Sequence, residues 1–353
     1  MTSNDAARPR PYIMLGYLRG LFDYLRARGA PLEPVLERLQ LTEDQLRDPD
    51  IRVDHALQDD IFAVAETITG DVNVGLHSGE ATHLIHFGIL GQLAMTCHAV
   101  RDLVDLHTRF QRLISTGARI TYRASGDEMV GESFFEEGAR PSRHTIEYTL
   151  ASHTTLARLM TGLPFSMSRL EVSYAAPEDG SEQDRLFACP IQYGCERERF
   201  AFPLRLLDLP LLVGDSASRR ALEVEARRRL DALLAPLLHG DPELIELKAF
   251  IAAQLPRGAP DVQAAARAVD ASVRTLQRRL ERLGLSYREL LDLVRRERAE
   301  VHVSDPSLSQ IDIAFLLGYA DQSTFHRAFR RWFDLTPGEY RALRRGDAST
   351  SRS

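Results

Sequence analysis

Arg274 and Arg278 stand four residues apart with Thr275 and Gln277 between them, and Ser323, Thr324 and Arg327 repeat a similar mixture of donors later in the chain. On a helix a four-residue step places both arginines on one face. These side chains share a chemistry. A guanidinium can grip guanine O6 and N7 with two bonds, glutamine can match adenine, and threonine can offer its methyl to a thymine methyl. The same residues on an ordinary solvated helix would only face water, so the surrounding pattern has to decide between the two.

That pattern is helical and duplicated. Val273, Leu276, Leu280 and Leu283 recur at steps of three and four, as do Phe325, Phe329, Trp332 and Phe333, which gives each segment one apolar stripe. The segments match at an offset of 49 residues: Leu276 with Phe325, Arg278 with Arg327, Leu280 with Phe329. A shorter helix precedes each. The first runs from Asp261 to Val269 and turns at Asp270-Ala271-Ser272, where Asp tolerates left-handed backbone and Ser272 can cap the next helix. The second runs from Ile311 to Leu317 and turns at Gly318-Tyr319. Helix, tight turn, helix is the pattern that sets its second helix into a major groove. Between the two pairs, Ser286-Tyr-Arg-Glu289 is a capping box. It opens a long helix with an apolar seam of Leu290, Leu293, Val294 and Val301. We expect this helix to act as a strut that holds two reading helices about one turn of duplex, ~34 Å, apart. Its Arg295, Arg296 and Arg298 either touch phosphate or only solvate it.

Other chemistries find little support. His83 and His86 could share a helix face, but no His-Glu-x-x-His and no third ligand at a suitable spacing accompany them, so no metal is expected. Gly-x-Ser-x-Gly, P-loop and Gly-x-Gly-x-x-Gly motifs are absent, and no cofactor is implied. Cys189 sits in an apolar strand and Cys195 beside Glu196, neither a setting that stabilises a thiolate.

Composition agrees. Three cysteines, Cys97, Cys189 and Cys195, form no Cys-x-x-Cys pair, which suits a reducing compartment. The N-terminus lacks an apolar core of signal-peptide length, so a cytoplasmic protein, nucleoid-associated when bound to DNA, is expected. The net charge of −6 conceals a division: residues 256–345 carry 16 Arg against 12 Asp and Glu, net +4, and the rest of the chain is net −10.

With 353 residues the chain has room for two or three domains. Helices are expected at Tyr12–Arg28, Leu32–Leu39, Asp54–Thr69 and Gly88–Ile114, the last interrupted near Cys97. From Ala118 the period changes to two. Ala118–Arg123 and Met129–Phe135 read as a hairpin, Ser142–Thr161 as a helix, and 169–174, 189–193 and 199–202 as strands. Helices followed by strands without strict alternation indicate an α+β domain. A helix from Ser216 to Leu238 carries Leu222, Leu230, Leu233, Leu234 and Leu237, and either pairs two copies or packs on its own domain. His239-Gly240-Asp241-Pro242 reads as a linker, and the first ten residues and the tail from Gly346 as loose ends.

Four motifs carry a resemblance: Leu276-Gln-Arg-Arg-Leu280; Ile313-Ala314 with Leu317-Gly318-Tyr319; Ser323 to Phe329; and Thr336-Pro337 with Tyr340-Arg341. Through them the segment from Leu255 to Arg345 resembles the DNA-binding domain of the AraC/XylS family of bacterial transcription regulators. Three positions depart from that pattern: Asp270 in place of a turn glycine, His302 in place of leucine, and Asp334 in place of a glycine before Thr-Pro. Upstream, Phe87-Gly88-x-Leu90-Gly91, Phe187-Ala-Cys-Pro-Ile191 and Phe202 with Leu209-Pro210-Leu211 resemble the arabinose-binding-domain-like sensor of the ornithine-utilisation and VirS type. The resemblance implies a multidomain protein. Residues 11–238 would be an α+β effector-binding and dimerisation domain, 239–242 a linker, and 243–345 an all-α DNA-binding domain with helix-turn-helix motifs at 261–283 and 309–333. It implies double-stranded DNA, RNA polymerase, an unidentified small effector and a second copy of the chain as partners, and it places Arg274, Thr275, Gln277 and Arg278 of one helix and Ser323, Thr324 and Arg327 of the other against bases. A non-enzymatic, ligand-responsive activator is the expectation. An enzyme of DNA-repair kind fused to a DNA-binding domain, and a constitutive DNA-binding protein with an oligomerising N-terminal domain, are the alternatives.

Overall fold

The computed structural model describes residues 10–48, 50–135, 140–212, 218–283, 285–333 and 335–342. Two compact units divide after Leu222.

The first unit opens with a short strand, β1 (Tyr12–Met14), antiparallel to β2 (Arg52–Asp54). A helix was expected from Tyr12, but it begins only at α1 (Arg19–Ala27), after a 3-10 turn. The Tyr12 N–H is donated to the Thr116 hydroxyl (3.0 Å), and the pairing with β2 claims the rest of the segment. Tertiary partners override the apolar period here. Likewise Asp54 ends β2, and the helix expected from it starts at Leu57.

Seven further helices complete the unit: α2 (Glu33–Leu39), α3 (Leu57–Thr69), α4 (Val74–Glu80), α5 (Ile89–Ala94), α6 (Val100–Ile114), α7 (Arg143–Thr161) and α8 (Ser181–Phe187). The short α4 and α8 are additions to the expected set. Ser142 caps α7 by accepting the Thr145 N–H.

Five strands make the main sheet: β3 (Ala118–Ser125), β4 (Glu128–Phe135), β5 (Arg169–Glu171), β6 (Ile191–Gln192) and β7 (Arg199–Pro203). They lie in the order β3-β4-β7-β5-β6, antiparallel except for the β5–β6 pair. The hairpin register pairs Ile120 with Ser133 and Tyr122 with Gly131, so Ile120 and Tyr122 share one face of the sheet. Ile146 and Leu150 of α7 pack with Phe200, Phe202 and Leu170 of the strands in the core.

α9 (Arg219–Gly240), most of it in the second unit, takes in the first two of the four residues of the expected linker. Asp241 is the N-cap of α10 (Pro242–Gln254), accepting from Glu243 and Leu244, and Pro242 takes a first-turn position that suits its missing N–H. The two helices therefore meet at a capped junction within that linker. Then come α11 (Val262–Ala268), α12 (Val273–Arg282), α13 (Tyr287–Ser304), α14 (Gln310–Leu316), α15 (Gln322–Phe333) and a last helix over 337–342. Residues 1–9 and 343–353, Asp334 and the side chains of Leu234 and Leu237 lie outside the described residues.

Candidate functional site

Each helix pair is built by local chemistry. Asp261 caps α11 and Ser309 caps α14 through a capping box with Asp312. Each first helix ends in one left-handed residue, Asp270 (φ +50°) or Gly318 (φ +70°). In each, a backbone bond closes over the turn, Ala271 N–H to Ala266 O (2.9 Å) and Tyr319 N–H to Ala314 O (3.0 Å). Gly318 is required twice over, since a Cβ there would also lie 2.8 Å from the Leu255 carbonyl oxygen.

The register is finer than one offset. α11 and α14, with their left-handed residues, match at 48 residues, as Asp270 and Gly318 show. The reading helices match at 49, as Thr275 and Thr324 show. The second turn is therefore longer by one residue.

On α12, Leu276 and Leu280 are buried while Arg274, Thr275, Gln277 and Arg278 are exposed. On α15, Phe325, Ala328, Phe329 and Trp332 are buried, Ser323 and Arg327 are exposed, and Thr324 is half-buried. Arg274, Gln277 and Arg278 make no intramolecular polar contact among the described residues. The two threonines differ. Thr275 hydrogen-bonds the Ser272 hydroxyl (2.8 Å), and the Thr324 hydroxyl donates to Asp321 (2.8 Å) and accepts from Arg327 (3.1 Å). Their hydroxyls serve the helix starts.

Three arginines are structural. Arg279 is ion-paired with Asp241 and Glu243, fastening α12 to the start of α10. Arg295, half-exposed, is tied to the second turn. It donates from Nε to Leu317 O and from Nη2 to Gly318 O, both at 3.0 Å, and its guanidinium lies 4.3 Å from the centre of the Tyr319 ring. Arg341 donates to the carbonyls of Val303, Asp305 and Leu308, closing the end of α13 onto the last helix. The seam of α13 is corrected at one point. Val301 is 62 % exposed, and Ala299 and Val303 are buried in its place, beside Leu290 and Val294. His302, the departure from leucine, is half-buried next to that seam.

The first unit holds a cavity of about 250 Å³ between α5, α6, α7 and the β3–β4 face. Phe87, Leu90, Gly91 and Phe202, singled out above by motif, line it together with residues no motif marked: His107, Tyr122 and His153. Gly91 is there for space, since a Cβ would meet the Leu84 carbonyl oxygen at 1.9 Å. Burial pushes the His107 imidazole down to about 3, helped by the neighbouring His153, and burial alone pushes His153 down to about 4. Both rings are therefore neutral at ordinary pH. Apolar lining with a few convergent polar groups is what a small-molecule site looks like. The signal that sequence reasoning missed is the pair His107 and His153, which the fold brings to 5.6 Å between ring centres from separate helices.

His86, which the sequence set beside His83, is engaged within its own surroundings. His86 Nε2 lies 3.0 Å from Asp23, and its Nδ1 takes the His83 N–H. Among the described residues no group of three His, Cys, Asp or Glu is arranged to hold a metal, and no helix is long and apolar enough to cross a membrane. Burial raises the Cys189 thiol to about 11, far from a reactive thiolate.

Residues 29–211 match the family model described as the arabinose-binding domain of AraC transcription regulator, N-terminal, and residues 265–343 match a helix-turn-helix domain. The chain belongs to the AraC family of transcription regulators. It is 24% identical to the ornithine utilization regulator of Pseudomonas aeruginosa over 93% of this chain and 96% of that one. The transcriptional regulator VirS of Mycobacterium tuberculosis is 30% identical over 72% of this chain and 75% of its own length. VqsM of Pseudomonas aeruginosa is 25% identical over 92% and 95%. The AraC-family pairing of a ligand-binding N-terminal domain with a DNA-binding helix-turn-helix domain is thus present in full, and the chain is a DNA-binding regulator.

Proposed function

We propose that this AraC-family chain is a ligand-responsive activator whose two reading helices, α12 and α15, enter adjacent major-groove segments on one face of the duplex. Arg274, Thr275, Gln277 and Arg278 read one block, and Ser323, Thr324 and Arg327 read the other. The observation that carries this is the pair of exposed polar faces, each set over a buried stripe and each started by the same Schellman-type turn and side-chain cap. Residues up to Leu222 act as the sensor, with the cavity as effector site, and α9 links them to the reader. The working form is a homodimer that engages RNA polymerase in the bacterial cytoplasm, and its role is regulatory rather than catalytic. Effector acts by population shift, in proportion to its preference for the DNA-competent arrangement.

Selection of bound duplexes from a random-sequence pool tests the reading. Two conserved blocks about one helical turn apart are expected within each bound site. Recovery of a single block would contradict it. Transcription in vitro from such a site, with and without the protein, then separates activator from repressor.

A further inference from the structure

The cavity's chemistry narrows what can occupy it. No carboxylate or ammonium group is among its lining residues, and the one arginine, Arg119, is turned away. Arg119 pairs with Phe134 across the hairpin and lies over that ring at 4.8 Å, on the face of the sheet opposite Ile120 and Tyr122. An ion entering this space would lose its hydration with no opposite charge to replace it.

Most polar lining groups are already committed. The side-chain amide of Gln111 both donates to and accepts from the Ile120 backbone, at 3.0 and 2.6 Å. Thr149 bonds Tyr17 and the Thr145 carbonyl, and Ser152 bonds Thr82. His107 Nδ1 is 3.2 Å from the Tyr122 hydroxyl. His55, Gln58, Ser133 and His153 have no side-chain hydrogen bond among the described residues, and of these His153 stands beside His107. Among the described residues neither ring nitrogen of His153 has a hydrogen-bond partner; Nδ1 is sealed even from water, so a bond to an occupant of the cavity falls to Nε2. A buried polar group without a partner is costly, so an unmet bond at a cavity wall points to something that completes it.

We propose that the cavity binds a neutral, largely apolar molecule carrying a hydrogen-bonding oxygen, a hydroxyl or carbonyl, that is held by His153 Nε2 beside His107. A dry cavity of ~150 Å³ holds benzene, so the space here suits roughly ten non-hydrogen atoms. The inference rests on the effector reading of the cavity given above. The neutral state of both histidines follows from their burial and persists throughout the physiological range.

Titration calorimetry on the full chain at pH 7.5 tests it with four probes of similar size: 3-phenylpropan-1-ol, 3-phenylpropanoate, 3-phenylpropylammonium and butylbenzene. The alcohol is expected to bind at least about tenfold more tightly than either ion. In His153→Phe it should lose about five- to tenfold, while butylbenzene stays within about twofold and so shows that the cavity is intact. If an ion binds as tightly as the alcohol, or if His153→Phe leaves alcohol binding unchanged, the inference is overturned while the effector reading stands. If neither the alcohol nor butylbenzene binds, the cavity is not a ligand site and both readings fall.

Discussion

Replacing Arg295 with alanine should unfasten the second helix-turn-helix instead of removing a DNA contact. Its guanidinium meets the carbonyls of Leu317, which caps α14, and of Gly318 in the turn that follows, and covers the Tyr319 ring. A bond from a charged donor is worth ~1.5–3 kcal/mol when sheltered. Arg295 is half-exposed, so about 1 kcal/mol per bond is the better figure after solvent screening. The ring contact contributes about 0.5–1 kcal/mol. The total is roughly 2–3 kcal/mol, confined to the second helix-turn-helix. Trp332, the only tryptophan, is buried in that same core, so its fluorescence during denaturant unfolding reports locally. The midpoint should fall for Arg295→Ala. Arg295→Lys should recover less than half the loss, because a point charge cannot fork between two carbonyls. An unchanged Trp332 midpoint, together with DNA affinity weakened uniformly and a shallower salt dependence, would mean that Arg295 is a phosphate contact and that the clasp is wrong.

Other outcomes follow from the turns and the cavity. Asp270→Gly should raise stability by about 0.5–1 kcal/mol by relieving a left-handed conformation, with a higher thermal midpoint by calorimetry; a fall would show that the aspartate side chain is needed. Gly318→Ala should lower the unfolding free energy read from Trp332 by about 2–4 kcal/mol, since it meets both the positive φ and the Leu255 carbonyl. Acid should unfold the first unit through His107 and His153. Their folded values, about 3 and about 4, lie below the unfolded 6.5, so the stability they confer is complete above pH 6.5 and is lost as pH falls below it. The loss is about 2 kcal/mol for each at pH 5. His153→Phe should flatten that slope, as followed by circular dichroism; an unaltered slope would contradict the buried-neutral assignment.

The helical unit was largely legible because its rules are local. Buried Leu276, Leu280, Phe325 and Phe329 recur at helical spacing, Ser286 and Glu289 form the expected capping box, and Asp270 takes the left-handed turn that its place suggests. What escaped depends on three dimensions. Arg278 and Arg279 are neighbours of one type, yet one is exposed and the other is held by Asp241, a residue 38 positions away. Arg295 is likewise assigned only by the turn that α13 happens to pass. In the first unit the hairpin and α7 were readable from period and cap, whereas β1 looked helical until Thr116 and β2 claimed its backbone. The cavity had half a signature. Its glycine and phenylalanines stand in motifs, but His107 and His153 are 46 residues apart, and nothing in their spacing announces a pair.

The central claim is that one chain reads two blocks of duplex with two helices. Binding of Arg278→Ala and Arg327→Ala to a selected duplex, scanned base pair by base pair, tests it most directly. Each variant should lose about 1–3 kcal/mol on the unmodified site and relax discrimination at one position only, with the two positions in different blocks. If both variants bind at normal affinity, or if both relax the same base pair, the two-helix reader is contradicted.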